Sequence, residues 1–279
     1  MRSNELMRPQ PAPAGAPVAP VDPPLVTVVI PAYNEARRLP DSIRRVQDYL
    51  RQQPYKSELI VVDDGSSDNT AALADEAAAA DPAIRVIHNP HMGKGVAVRT
   101  GMLAGTGRYI LYSDADLSTP IAELAKLLSW LQRGYDVAIG SREGQGAVRY
   151  NEPGYRHLMG RVFNKLVQFI ALRQFNDTQC GFKAFTQEAT QDLFRRVQIY
   201  GDNAGVVKGA MVTGFDVEVL YLALKRRYRV KEVPVEWYYA SGSKVNPLRD
   251  PLRLLTDVLR VRWNDLRGRY GRRLPRRSA

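Results

Sequence analysis

The chain has 279 residues, 44% of them hydrophobic, with a formal net charge of +11. That length carries one large domain or two small ones with ample core, and the composition is that of a soluble globular protein. The single cysteine, Cys180, excludes an intrachain disulfide and fits a reducing compartment, and no run approaches the roughly 20 apolar residues that span a bilayer.

Residues 1–24 are rich in Pro and Ala and lack the apolar stretch of a signal peptide, so they read as a disordered leader. Then come short apolar runs: Leu25–Ile30, Glu58–Val62, Ile84–Ile87 and Tyr109–Ser113. Continuous runs of this length predict strands buried on both faces. Helical segments separate them at Asp41–Gln53, Asn69–Ala80, Lys94–Ala104 and Pro120–Arg133. This alternation predicts an α/β fold, a mostly parallel sheet flanked by helices. Ligands of such sheets bind beyond the carboxyl ends of the strands. Asn34-Glu35, Asp63-Asp64, His88-Asn89 and Asp114–Asp116 all fall at those ends and should line one crevice.

Past a strand that ends in Gly140, the sequence predicts a helix at Arg156–Leu172, a strand at Phe182–Phe185 and a glycine-bearing loop at Tyr200–Met211. A helix at Phe215–Arg227, one strand at Val230–Tyr239 and an amphipathic helix at Leu252–Leu266 complete it. Residues 246–279 hold ten arginines against three aspartates, so +7 of the net +11 sits there and +4 elsewhere. In the last helix Leu252, Leu255, Leu259, Trp263 and Leu266 share one stripe, with Arg253, Arg260, Arg262 and Arg267 around it. That pattern suits an interfacial helix on an anionic membrane surface; the alternative is a stripe packed on the domain or on a second subunit.

Asp114-Ala115-Asp116 carries the chemistry. Two carboxylates spaced i, i+2 at a strand exit repel unless a cation sits between them, and hard oxygen ligands suit Mg2+ or Mn2+. An ion held by so few carboxylates leaves positions for substrate phosphates. Lys94, between Gly93 and Gly95 at a helix start, either approaches phosphate or belongs to a plain loop. His88, His91 and His157 lack metal-ligand spacing and read as surface residues, and Cys180 as a small packed residue.

Four segments together, Val29-Ile30-Pro31-Ala32-Tyr33-Asn34-Glu35, Val62-Asp63-Asp64-Gly65-Ser66-Ser67-Asp68-Asn69-Thr70, Gly93-Lys94-Gly95 and Asp114-Ala115-Asp116, resemble the family-2 glycosyltransferases, which have the GT-A fold. Gly140-Ser141-Arg142, Asp177 to Lys183 and Phe215-Asp216-Val217-Glu218 resemble the dolichyl-phosphate (polyprenyl-phosphate) β-glucosyltransferase branch. The resemblance implies a GT-A domain over 25–245 ahead of the basic segment 246–279. It implies an inverting, metal-dependent transferase that moves a sugar, glucose for preference, from a UDP-sugar donor to a polyprenyl-phosphate acceptor.

By the same resemblance, Pro31, Ala32, Tyr33, Glu35, Val62 and Asp64 meet the nucleoside; Lys94, Asp114, Ala115 and Lys244 meet the nucleotide sugar. Asp116 is the metal ligand and Asp114 serves the metal or the ribose. Arg142 serves the reacting phosphates, and Arg156, Arg161 and Gln179 the acceptor. A phosphate acceptor is anionic near neutral pH and needs no general base, whereas an alcohol would need one such as Asp177 or Asp216. Competing expectations are a soluble or glycan acceptor, or a basic nucleic-acid-binding or membrane scaffold protein, although no nucleic acid partner is expected. A cytoplasmic, peripheral membrane location is expected, and a homo-oligomer is left open.

Overall fold

The computed structural model describes residues 23–151, 154, 172–201, 205, 207, 214–239 and 249–271. The leader up to residue 22, most of the helix expected at Arg156–Leu172, and Arg156, Arg161, His157 and Lys244 lie outside the described residues.

Strands β1 (Val26–Ala32), β2 (Ser57–Asp63), β3 (Ile84–His88) and β4 (Tyr109–Ser113) alternate with helices α1 (Leu39–Arg51), α2 (Thr70–Ala80) and α3 (Lys94–Ala104), close to the predicted bounds. After α4 (Leu124–Gln132) come β5 (Val137–Ser141), β6 (Val148–Tyr150), β7 (Phe182–Thr186), α5 (Gln187–Arg196), α6 (Phe215–Lys225), β8 (Val230–Pro234), β9 (Glu236–Tyr238) and α7 (Arg249–Leu266). The main sheet runs β3-β2-β1-β4-β7-β5-β8. Strand β7 is antiparallel to both neighbours, and Ser113 at the end of β4 pairs with Phe182 at the start of β7. The turn leading into β7, Asp177–Gly181, therefore arrives at the carboxyl edge where β4 ends.

Residues alternate across the sheet. Val29, Ile60 and Val62 join a core with α3, α5 and α6. Val28, Ile30 and Val61 join one with α1 and α4. Two differences from the sequence reading have local causes. The single strand expected at Val230–Tyr239 divides after Pro234, which has no N–H for a ladder; β8 stays in the main sheet and β9 pairs with β6. Helix α5 was not expected. The Thr186 hydroxyl caps it by accepting from the Ala189 N–H, with Glu188 in its first turn and Arg195 and Arg196 in its last.

Helix α7 has two apolar faces. Leu254, Val258 and Val261 are buried, the latter two in the α3/α5/α6 core, whereas Leu259, Trp263 and Leu266 are 51%, 54% and 80% exposed. Most of the predicted stripe thus stands in solvent and does not pack on the domain. Among the described residues no helix is long and apolar enough to cross a membrane.

Candidate active site

Strand β4 is buried along its whole length and releases the chain at Asp114. The Asp114 N–H donates to the Gly181 carbonyl at 3.2 Å, and the Leu117 N–H returns to the Asp114 carbonyl at 3.1 Å. Leu117 completes this turn at φ 46°, a region a β-carbon disfavours, and its side chain is buried against the α1/α4 core. Asp116 Oδ1 accepts the Ser118 N–H at 2.9 Å. Opposite, a β-carbon on Gly181 would lie 2.2 Å from Asp114 Oδ2, so only glycine fits beneath this carboxylate.

The Lys94 ammonium sits 2.5 Å from Asp114 Oδ1. The contact is an ion pair. Burial raises the Asp114 pKa, Lys94 opposes the rise and Asp116 adds to it. Lys94 itself is held above the usual lysine range: burial works against its charge, and Asp114 and Asp216 outweigh burial. A carboxylate that meets only the Lys94 ammonium, beside a second carboxylate, fits a divalent cation. Among the described residues no group of three or more His, Cys, Asp or Glu is placed to hold a metal ion. Asp114 and Asp116 could hold one between them and leave its other positions to phosphate and water.

A second charged layer lies below. Lys183 is fully buried on β7, and its ammonium reaches the Cys180 carbonyl and Asp216 Oδ1, each at 2.5 Å. The Tyr112 hydroxyl bonds the same Asp216 oxygen. This ammonium was not singled out in the sequence; its only signal is a lysine inside an otherwise apolar strand.

A cavity of about 190 Å3 opens at this edge. It brings together Pro31, Ala32, Tyr33, Glu35, Asp64, Lys94, Asp114, Ala115 and Asp116, as the sequence suggested. Val62 is buried with Val29 and Ile60 and is not among the residues lining the cavity, because alternation turns it toward the helices. His91, read as a surface residue, lines the cavity. Its ring stacks on Tyr33 with centroids 3.8 Å apart and planes within 4°. Its Nδ1 lies 2.8 Å from Asp64 Oδ2 and 3.0 Å from the Asp64 carbonyl, so facing two acceptors it carries the proton. The Asp64 carboxylate also takes the Met92 and Gly93 N–H groups, tying down the segment that leads into Lys94. His88 stays on the surface against Asp75, as expected.

Arg142, at the end of β5, borders a separate polar cavity with Glu143 and Arg149. Its Nε and Nη2 donate to Asp177 at 2.7 and 2.9 Å, and its guanidinium lies 5.4 Å from the Trp237 ring centre. Asp177 is fully buried and held well below the usual carboxylate range: burial works against its charge, and Arg142 more than compensates. So held, Asp177 is a weak base for the alcohol acceptor that would have needed one. It positions Arg142, and its Oδ1 also accepts the Gln179 N–H at 3.1 Å. Asp216, the other base considered, is neutralised by Lys183.

The profile of Glycosyl transferase family 2 matches residues 27–194. The chain belongs to glycosyltransferase family 2. It is 34% identical over 247 residues to the dolichyl-phosphate beta-glucosyltransferase ALG5C of Trichomonas vaginalis, covering 84% of this chain and 70% of that one. The Homo sapiens dolichyl-phosphate beta-glucosyltransferase is 34% identical over 260 residues, covering 88% and 77%. The glycosyltransferase AglD of Haloferax volcanii is 35% identical over 94% of this chain, which spans 40% of its length. Among solved structures, glucosyl-3-phosphoglycerate synthase of Mycobacterium tuberculosis with Mn2+, UDP-glucose and phosphoglyceric acid has a TM-score of 0.60 at 19% identity, covering 89% of this chain and 80% of that one. Mannosyltransferase PcManGT of Pyrobaculum calidifontis, with GDP-Man and Mn2+, has a TM-score of 0.56 at 21% identity, covering 88% and 64%. These structures share the GT-A fold.

In this family-2 transferase the cleft therefore divides by chemistry. A flat aromatic pair and a tethered carboxylate stand on Tyr33, His91 and Asp64; a lysine and two aspartates stand at Lys94, Asp114 and Asp116. Such an arrangement can bind a nucleotide by its base and offset negative charge at its diphosphate.

Proposed function

We propose that this transferase moves glucose from UDP-glucose to a polyprenyl phosphate with inversion at the anomeric carbon. The observation that carries the acceptor assignment is the state of the two nearby base candidates: Asp177 is paired with Arg142 and Asp216 with Lys183. With both of these carboxylates occupied, the reading favours an acceptor that needs no base, and a phosphate, with its second pKa near about 6, is such a nucleophile. The names of the relatives support the same acceptor and sugar.

Tyr33 and His91 support the base by stacking, and Asp64 holds that wall in place. Asp114 and Asp116 would hold Mg2+ or Mn2+, which when bound supplies Lewis-acid stabilisation to the leaving diphosphate. Lys94, paired with Asp114 at the same edge, would bring its charge to the same diphosphate. The acceptor oxygen attacks in line and UDP departs, a single displacement that inverts the centre. Arg142, braced by Asp177, would serve a phosphate, with Gln179 beside its anchor. Arg156, Arg161 and Lys244 remain assigned by resemblance alone. The exposed Leu259, Trp263 and Leu266, ringed by arginines, would rest on an anionic membrane face and place the cleft at the lipid headgroups.

Incubation with UDP-, GDP- and ADP-glucose, long- and short-chain polyprenyl phosphates, and Mn2+ or EDTA tests this reading. Transfer only from UDP-glucose, only to the lipid phosphates and only with metal is expected. Product from a water-soluble alcohol alone would refute it.

A further inference from the structure

The inner face of α7 carries a buried carboxylate that the reaction outlined above does not use. Asp257 is 2% exposed, on a helix whose opposite face is arginine-rich. Its Oδ2 accepts two bonds, from the Tyr200 hydroxyl at 2.5 Å and from the Gly214 N–H at 2.9 Å. A β-carbon on Gly214 would stand 2.5 Å from the Asp257 β-carbon, so the backbone reaches the carboxylate only as glycine.

Both partners lead to the donor site. The Tyr200 ring packs on Gly95, where an added β-carbon would lie 2.8 Å from the ring. Gly95 directly follows Lys94. Gly214 precedes Phe215, whose own β-carbon would lie 3.1 Å from that same added atom. Asp216 comes next and acts electrostatically on Lys94. One carboxylate on α7 thus fixes Tyr200, which presses on the start of α3, and Gly214, which leads into Phe215 that presses on it too.

We propose that Asp257 is a positioning residue of the donor site: through Tyr200 and Gly214 it sets the start of α3 and thereby the reach of Lys94 toward the nucleotide diphosphate. The proposal rests on the donor reading given above. The two faces of α7 then have separate tasks, the outer one at the membrane and the inner one at the diphosphate. The C-terminal helix is needed for donor binding even where no membrane is present.

The test uses the full-length protein without lipid and measures binding of UDP and of uridine with Mn2+ by calorimetry. Asp257→Asn should raise the Kd for UDP roughly fivefold, the scale of one lost hydrogen bond, and leave uridine unchanged, because uridine has no diphosphate for Lys94 to meet. Tyr200→Phe keeps the ring against Gly95 and should reproduce the effect if Asp257→Asn fails to fold. In a Lys94→Ala background Asp257→Asn should add nothing, since both act through one group. The triple variant Leu259→Ser, Trp263→Ser, Leu266→Ser should lose sedimentation with phosphatidylglycerol vesicles and keep the wild-type Kd for UDP. Equal weakening of UDP and uridine, or full additivity with Lys94→Ala, would overturn the proposal and leave Asp257 a fold residue. Wild-type protein that binds no UDP would overturn the donor reading itself.

Discussion

Arg142 is locked to Asp177 through its backbone as well as its side chain: Arg142 N–H donates to Asp177 Oδ2 at 3.0 Å, beside the two guanidinium bonds at 2.7 and 2.9 Å. The pair joins the end of β5 to the turn before β7. A carboxylate so held stays ionised and occupied.

Replacing Asp177 by Asn should therefore cost stability with a defined pH dependence. The folded pKa of Asp177 is depressed, so its contribution is present above the unfolded value near about 4 and is lost as pH falls toward the folded one. At neutral pH the variant leaves Arg142 partly buried without its anion, at a cost of about 3–5 kcal/mol. The gap in denaturation midpoint between wild type and variant should narrow as pH falls below about 4. A gap that widens there would contradict the pairing.

Gly181 should be intolerant of any side chain. An alanine β-carbon meets Asp114 Oδ2 at 2.2 Å and must push either the carboxylate or the β7 turn aside. Gly181→Ala should weaken Mn2+ binding measured in the presence of UDP and lower turnover at least tenfold, with a stability loss of about 1–3 kcal/mol from overpacking. Asp116→Ala is the companion. It should abolish metal-dependent turnover while the protein stays folded, and an unchanged rate would remove Asp116 from the metal site.

His91 gives a cleaner test of the nucleoside end. His91→Ala removes the partner of Tyr33 and one donor to Asp64, whereas His91→Phe keeps the stack and removes only the donor. An aromatic pair contributes about 0.5–1.5 kcal/mol, so the alanine variant should bind UDP roughly two- to tenfold more weakly. Phenylalanine should recover most of that loss. Titration calorimetry with uridine separates this effect from the diphosphate end.

The first half of the fold was readable because its strands are continuous apolar runs, and those of β1, β2 and β4 end where cavity-lining residues begin. Asp114, Asp116, Asp64 and Tyr33 were legible for that reason. His91 was not, because its role depends on Asp64 and Tyr33 arriving from two other loops. Nor was Lys183, whose partner Asp216 lies 33 positions away. A motif of neighbouring letters does not show strand alternation: Asp64, past the end of β2, lines the cavity, and Val62 within it faces the helices. Strand β7 runs against its neighbours, so no motif in order along the chain could place Gly181 under Asp114.

The Lys183–Asp216 pair beneath the cleft gives the last prediction. Both groups are buried, and the desolvation of such a pair is offset only while both charges are present. Lys183→Met should leave Asp216 with the Tyr112 hydroxyl alone and destabilise the fold by about 3–5 kcal/mol in chemical denaturation. Adding Asp216→Asn removes the stranded charge and should restore part of that loss, so the double variant should be more stable than Lys183→Met alone. The carboxylate also acts on Lys94 and Asp114 above it. Turnover should therefore stay low in the double variant even where stability returns, because Lys94 then answers to Asp114 and Asp116 alone. Recovery of wild-type turnover together with stability would show the lower pair to be a matter of folding only.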